Sequence, residues 1–495
     1  MLLLALVYVC FLTFVPFSLG SSFDEMNLRV IFHEQHKSAV DKEIDSPDRL
    51  GLTIRLAASG NRPQSIVLPI DKLRRVRLHS NANLPHKIVM VATSYTLDEI
   101  HSFLDILSHI NTNSKSRDFS PIKLHLMVSS EDVLAELCFP RKVFEDIVEI
   151  NHLALCNDLW TQDFSEIATF YPKNGAPKLG LIDVKKSGDL AFFTGGLAAL
   201  WSWERIVPPG LEDDEQGNYG GNIEVTPDDI LVIGSTATKA MRNTFKALGY
   251  GHKVAVLDTS WLEVGHVDEV VSFVPKPDSE LGYVAIVASP LLGLELLRSI
   301  PEEQMLEKLG ELVQNAFAYY PLYPQGFDSE DTEKLEKLVI KLGQLYAHLR
   351  GKPTNAAHQM SDLVNFNLAA AKTIDASIDA LSKRVKTIKR SKANLEIIYV
   401  PALFDTSEDN LAMALFPSLV NHIVLNEHII LPHPFLDVFH QATAARVWSL
   451  GYVPHFVPSL TYHFLEGQLH CGSNVIRHPN KYVHPRYSQQ RKLKL

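Results

Sequence analysis

Cysteine is scarce, with four in 495 residues at positions 10, 138, 156 and 471. So few thiols exclude a disulfide-dense miniature scaffold, and the 21 histidines form no recognisable zinc-ligand spacing with them. Positive charge is also in deficit, 47 Lys and Arg against 57 Asp and Glu, for a formal net charge of −10. This balance argues against nucleic acid as the main partner, because nucleic-acid binders carry a basic footprint. The basic stretch Arg491-Lys492-Leu493-Lys494 reads as a solvated tail. Several common motifs are missing as well. There is no phosphate-binding P-loop, His33-Glu34-Gln35-His36 lacks the His spacing of a metalloprotease helix, and 217–222 is not a dinucleotide loop. No Asn-x-Ser/Thr acceptor occurs, so no N-linked glycan is expected. Neither a fixed-period repeat nor a low-complexity linker is visible, which favours one large unit over several domains.

What is present suits a globular chain with a substantial core: 46% hydrophobic and 21% charged residues. One long uncharged apolar run stands out, Leu2 to Leu19, closing on Ser18 and Gly20 with signal-peptidase spacing. It predicts a signal peptide over 1–20, cleavage near Gly20, secretion to the extracellular space and no stable membrane association afterwards. An uncleaved anchor is the alternative, since the run is about long enough to span a bilayer. Removal of Cys10 leaves three cysteines, so at least one thiol is free; Cys138 and Cys156 could pair or stay as two buried thiols. Residues 21–78 read as a short β-rich extension, with strands such as Leu28 to Phe32 and Leu52 to Leu56. Beyond them, apolar runs at Lys87–Ala92, Ile230–Ile233, Lys253–Leu257 and Glu396–Val400 alternate with helical stretches, which predicts an α/β fold. Ser299-Ile300-Pro301-Glu302 reads as a helix start ahead of Met305, Leu306, Leu309 and Leu312. Further helices are expected from Leu335 onward and from about Met360 to Arg390.

Four short motifs carry chemistry-bearing side chains. In Asn157-Asp158-Leu159-Trp160-Thr161-Gln162-Asp163, continuing to Glu166, an extended chain would turn Gln162, Phe164 and Glu166 to one face and Asp163 to the other. Gly220-Gly221-Asn222-Ile223-Glu224-Val225 reads as a turn followed by a strand. In Trp261-Leu262-Glu263-Val264-Gly265-His266-Val267-Asp268-Glu269, a strand would put His266 and Asp268 on one face, suited to proton transfer and cation binding, or simply to a structural pair. In Leu469-His470-Cys471-Gly472-Ser473-Asn474-Val475, Cys471 becomes a nucleophile only where its surroundings favour the thiolate.

Together and in this order, the four motifs closely resemble the catalytic region of the protein-arginine deiminases, members of the guanidino-group-modifying superfamily. The resemblance covers roughly Leu78 to Leu495 and includes Phe416-Pro417-Ser418-Leu419-Val420-Asn421 and Thr461-Tyr462-His463. It implies a five-bladed α/β propeller, the pentein fold, over 79–495. It implies an enzyme that hydrolyses peptidyl-arginine to citrulline and ammonia, with arginine-containing proteins or peptides as partners. By the same resemblance Cys471 is the nucleophile, His266 the general acid and base, and Asp163 and Asp268 the carboxylates that grip the guanidinium. Trp160 would lie along the substrate's aliphatic stem, with Val264 nearby. Calcium is implied at Gln162, Glu166 and Glu224 with backbone oxygens of Gly220 and Ile223. A second calcium site is degraded, because Phe164 stands where the family has an acidic residue.

Two regions depart from the family. Leu465 replaces an arginine shortly before the nucleophile, and the family's arginine-bearing loop reads Asp183-Val184-Lys185-Lys186-Ser187-Gly188. Those arginines serve the substrate backbone or the entrance, so guanidinium chemistry is better supported than peptide recognition. Two alternatives stay open: a deiminase of free arginine or another small guanidine, and an inactive binding protein on the same scaffold.

Overall fold

The computed structural model describes residues 66–113, 120–128, 130, 132–133, 137, 147–152, 158–186, 191–319, 329–407 and 409–482. The signal peptide, the strands expected near 28–32 and 52–56, and the Cys138–Cys156 pair lie outside the described residues.

The apolar runs form strands where expected, at Asn83–Ala92, Leu231–Gly234, Val254–Leu257 and Glu396–Pro401. Ile88 to Ala92 and Leu231 to Gly234 are buried on both faces, as continuous apolar strands should be, whereas Val256 and Tyr399 leave one face of the other two strands partly exposed. The fold is α/β, and its order is a repeat. Each unit is an antiparallel strand pair, a helix, and a third strand parallel to the second. One unit runs Ser165–Pro172, Lys178–Asp183, Ala191–Leu200 and Glu204–Ile206. The next runs Ile223–Val225, Leu231–Gly234, Lys239–Phe245 and Val254–Leu257. A third pairs Val271–Pro275 with Tyr283–Ser289 and reaches Glu396–Pro401 only after four helices. A fourth comprises Ile423–Leu425, His428–Pro432, Asp437–Ser449 and Val453–Val457. The fifth takes its first strand, Ser473–Tyr482, from late in the chain and pairs it with Asn83–Ala92, followed by Leu97–Asn113 and Lys123–Val128.

Local chemistry sets the crossovers. Thr238 and Ser289 cap their helices by accepting from the Met241 and Leu292 backbone N–H groups at 3.3 and 3.2 Å, and Pro290 occupies the first turn where no donor is needed. The three long helices expected between 300 and 390 are Glu302–Tyr319, Ser329–Leu349 and Ala357–Lys389. Ser299 does not cap the first of them. It ends the preceding helix, Pro290–Ser299, and its hydroxyl donates to the Leu296 carbonyl. Residues 66–67 and 73–78 add edge strands to the sheet of the 165–206 unit, Ile66–Val67 beside Glu204–Ile206 and Leu73–Leu78 beside Ser165–Pro172.

Candidate active site

The turn that opens each repeat supplies the functional side chains. Asp163, Gly221, Asn421 and Cys471 each stand two residues before the first strand of their unit, and Asp268 stands three before. Two of these turns differ from the extended segments the sequence suggested. Thr161–Phe164 and Val267–Glu269 are single 3-10 turns, so a period-two pattern does not decide which way their side chains face. In the second, the Glu269 carboxylate accepts from the His266 backbone N–H at 3.0 Å, which tightens the turn that a strand reading misses.

Gly221 marks where the side chains meet. A methyl carbon added there would lie 2.5 Å from His266 Nδ1, 3.2 Å from Asp163 Oδ1 and 3.2 Å from Asp268 Oδ2. Only a hydrogen fits among an imidazole and two carboxylates. The Gly221 N–H donates to Asp163 Oδ1 at 3.3 Å, and His266 Nδ1 is 3.9 Å from the same oxygen. The Cys471 sulfur is 3.8 Å from Asp268 Oδ2, and the Cys471 carbonyl accepts from the Gln162 N–H at 3.0 Å. Asn474 ties the last turn to the first by donating to the Thr161 and Ser165 carbonyls. Asp163, His266, Asp268 and Cys471, far apart in sequence, thus form one buried cluster.

The hydrogen bonds fix which atoms are available. His266 Nε2 is 3.0 Å from the Gln216 carbonyl, which can only accept, so the proton sits on Nε2 and the neutral ring presents its lone pair at Nδ1. Nδ1 has no hydrogen-bond partner. Asp268 Oδ2 is held by His470 Nδ1 at 2.8 Å, while its Oδ1 is buried and unpartnered. Burial raises the Asp163 pKa, with His266 and Lys186 working against the shift. Burial also drives the Cys471 thiol well above its usual range, and the charges of Asp268, Asp163 and Glu269 add to the effect. Glu269 is itself pushed up to about 7 by burial. His470 is buried against its charge, yet its bond to Asp268 and the nearby carboxylates raise its pKa.

Asp163, His266, Glu269 and Cys471 line a cleft of about 540 Å³, with Asp268 and His470 packed behind them. Trp160 and Val264 are among the residues lining it, together with Tyr219, Phe404 and Met413. Trp160 packs at a tilt against Tyr462, ring centroids 5.9 Å apart, and Gly467 lies so close to the indole that an added methyl would stand 2.2 Å from it. At the rim Leu465 is 47% exposed, and Lys186, the cation among the described lining residues, is paired with Asp158 at 2.9 Å.

The residues implied for calcium are also drawn together. A methyl on Gly220 would meet the Gln162 carbonyl at 2.2 Å and Glu166 Oε1 at 2.8 Å. Glu166 Oε1 is buried without a hydrogen-bond partner, and Glu224 on the neighbouring strand Ile223–Val225 helps burial raise the Glu166 pKa. Among the described residues no group of three His, Cys, Asp or Glu side chains has metal-holding geometry. The donors here are two carboxylates supplemented by an amide and backbone oxygens, a set whose chemistry suits a hard cation; burial raises the pKa of both carboxyls, that of Glu224 to about 7 against the opposing charges of His470 and Arg477.

Asn421, His470 and Glu269 touch the nucleophile or its partners and were given no role from sequence. Asn421 had one signal, its place in the Phe416 to Asn421 segment that shares the family resemblance.

Fold and cluster define an α/β protein with a buried thiol, imidazole and carboxylate site. The family model described as Protein-arginine deiminase (PAD) matches residues 228–483, and the chain belongs to that family. The matched span holds His266, Asp268 and Cys471; Asp163 joins them through the folded geometry. Human protein-arginine deiminase type-3 is 28% identical over 357 residues, covering 65% of this chain and 47% of the relative. Human type-4 is 29% identical over 230 residues, covering 45% of this chain and 29% of the relative. The chain thus spans less than half the length of these relatives. A solved agmatine deiminase from C. jejuni is 11% identical, covering 81% of this chain and 96% of that one, with a TM-score of 0.45.

Proposed function

We propose that this chain is a guanidine deiminase that hydrolyses peptidyl-arginine to citrulline and ammonia through a covalent adduct on Cys471. The observation that carries the reading is the meeting of Asp163, His266 and Asp268 around Gly221, with the Cys471 sulfur against Asp268. Two carboxylates can satisfy the planar N–H donors of a guanidinium and hold its central carbon in front of the sulfur. Binding of that cation also cancels the carboxylate charges that oppose the Cys471 thiolate, so the substrate helps to generate the nucleophile.

With the guanidinium bound, the thiol proton passes to His266 Nδ1, and the thiolate attacks the guanidinium carbon and forms a C–S bond. The C–N bond to a terminal nitrogen then breaks as protonated His266 delivers its Nδ1 proton to the departing ammonia, leaving a thiouronium adduct. Neutral His266 next takes a proton from water at Nδ1. The resulting hydroxide attacks the same carbon, the added hydroxyl gives up its proton to solvent, and the C–S bond breaks to release citrulline and restore the thiolate, with His266 left protonated at Nδ1. His266 Nδ1 is the only ring nitrogen free for these transfers, because Nε2 is bonded to the Gln216 carbonyl.

Calcium belongs to the same proposal. Gln162, Glu166 and Glu224, with the backbone oxygens of Gly220 and Ile223, would hold it. It would supply positive charge that orders Glu166 and Glu224 against the turn bearing Asp163. The five hairpin-and-crossover units support a five-bladed propeller arrangement, with the late strand Ser473–Tyr482 completing the unit that starts the ring. Export after cleavage near Gly20 rests on the apolar run at Leu2 to Leu19, and N-terminal sequencing of the natural product tests it.

A second reading, a small free guanidine as substrate, is favoured by the rim, where Leu465 is exposed and Lys186 is already paired. Ammonia and citrulline release should be measured with an arginine peptide, a blocked arginine ester, free arginine and agmatine. Turnover of the peptide and ester above the free compounds supports the first reading. The reverse order supports the second, and inactivity with all four, calcium included, overturns both.

A further inference from the structure

Of the five opening turns, one carries Asp163, one Gly221, one His266 and Asp268, and one Cys471; the fifth carries Asn421. Asn421 is 1% exposed, and a buried carboxamide must place all its hydrogen-bonding groups. Its Oδ1 accepts from the His470 and Cys471 backbone N–H groups at 3.0 and 3.2 Å. Backbone N–H groups can only donate, so these two bonds fix which end of the amide is oxygen. The amide nitrogen Nδ2 therefore faces the Cys471 sulfur, at 3.4 Å. The alternative contact, sulfur to Oδ1, is longer at 3.6 Å and would use an oxygen that is already engaged twice.

We propose that Asn421 is the fixed donor to the Cys471 thiolate, and that the same amide clamps the His470–Cys471 backbone so that sulfur and donor keep one geometry. The inference rests on the reading of Cys471 as nucleophile. The chemistry favours an amide at this point. The cluster already contains Asp163, Asp268 and Glu269, and the substrate class is cationic. A lysine or arginine beside the sulfur would occupy those carboxylates and repel the incoming guanidinium. A carboxamide offers a preorganised dipole with no net charge, which favours the thiolate without competing for the carboxylates. The same N–H meets the sulfur again when the C–S bond of the adduct breaks and the electron pair returns to it. Holding the backbone of His470 also keeps its ring on Asp268, which leaves Asp268 Oδ1 free for the substrate.

The test separates donor from clamp. Asn421→Asp keeps an oxygen for both backbone N–H groups and replaces the donor with a carboxylate that itself opposes the thiolate, whereas Asn421→Ala removes donor and clamp without adding charge, so the donor role requires slowing in both. Alkylation of Cys471 by iodoacetamide needs no guanidine, so it reports on the thiolate whether or not the substrate assignment holds. The adduct should be quantified on the Cys471 peptide by mass spectrometry, at one alkaline pH, alongside the melting temperature of each variant. We expect alkylation to slow by about tenfold to a hundredfold in Asn421→Asp with melting little changed, the scale of one hydrogen bond to a charged group. With an accepted substrate, kcat should fall more than KM rises. Alkylation of either folded variant within about twofold of wild type overturns the donor role. Slow alkylation in both variants with no citrulline from wild type would uphold the donor role and reject the substrate reading.

Discussion

Gly221 shows how a single hydrogen atom can hold a site open. Its neighbours are the imidazole and carboxylates themselves, so Gly221→Ala must displace at least one of them. We expect kcat/KM to fall by about a hundredfold, the cost of misplacing a reacting group by around an ångström, with a modest drop in melting temperature. Near-wild-type kinetics in a folded Gly221→Ala protein would mean that the three side chains do not work at this point. Cys471→Ala should abolish citrulline formation and lower stability by only about 1 kcal/mol, since the residue is buried but small. Turnover in that folded variant would exclude a covalent route. Asp163→Asn and Asp268→Asn should each raise KM and lower kcat, and unchanged kinetics in either would remove that carboxylate from the grip. At this scale the sequence was informative about residue type: Asp163, His266, Asp268 and Cys471 were all singled out, and the fold brings them together. Which atom of each faces the others was not legible. That depends on partners such as the Gln216 carbonyl and His470, which are distant in sequence or silent in spacing.

Among the elements, strands announced themselves through continuous apolar runs, and long helices through their periodicity. The 3-10 turns at Thr161–Phe164 and Val267–Glu269 did not, because three or four residues carry too little pattern to separate a turn from a strand end. The repeat was hidden for another reason. Its units share topology but not length, since one crossover holds four helices between Ser289 and Glu396 while another holds one short helix, Lys239–Phe245. The adjacent strands His428–Pro432 and Val453–Val457 carry a testable pair. His428 Nδ1 and His455 Nε2 lie 2.9 Å apart, so one ring donates and the other accepts while both are neutral. Burial first, and neighbouring imidazoles including His109 second, lower both pKa values to about 4. In the unfolded chain each takes up a proton below about pH 6.5. The folded chain resists until about pH 4, so the stability contribution is complete above 6.5 and is lost as pH falls from 6.5 toward 4. Urea unfolding at several pH values in that window should show wild type losing more stability than His455→Gln. An equal or steeper loss in the variant would exclude the pair as a source of acid sensitivity.

For the molecule as a whole, ion binding should appear as added stability. A ligand that binds only the folded state stabilises it by about 2.7 kcal/mol at a hundred times its dissociation constant. For a chain of this size that corresponds to a rise of roughly 3 °C in melting temperature. Calcium should raise the melting temperature of wild type and a chelator should reverse it, while Glu224→Gln should respond weakly. No calcium response in wild type would reject the site at Gln162, Glu166 and Glu224.

The pairing of Ser473–Tyr482 with Asn83–Ala92 has a consequence for biosynthesis. As the polypeptide leaves the ribosome, the strand at 83–92 emerges with one edge lacking its eventual neighbour until residues 473–482 have also been made. Exposed strand edges of this kind invite intermolecular pairing, so nascent molecules should depend on chaperones through most of translation. The delay also carries a safeguard. Cys471 lies two residues ahead of the strand that closes this gap, so the thiol is delivered together with the segment that completes this sheet, and a product that stops short of that strand lacks the proposed nucleophile or its supporting partner strand.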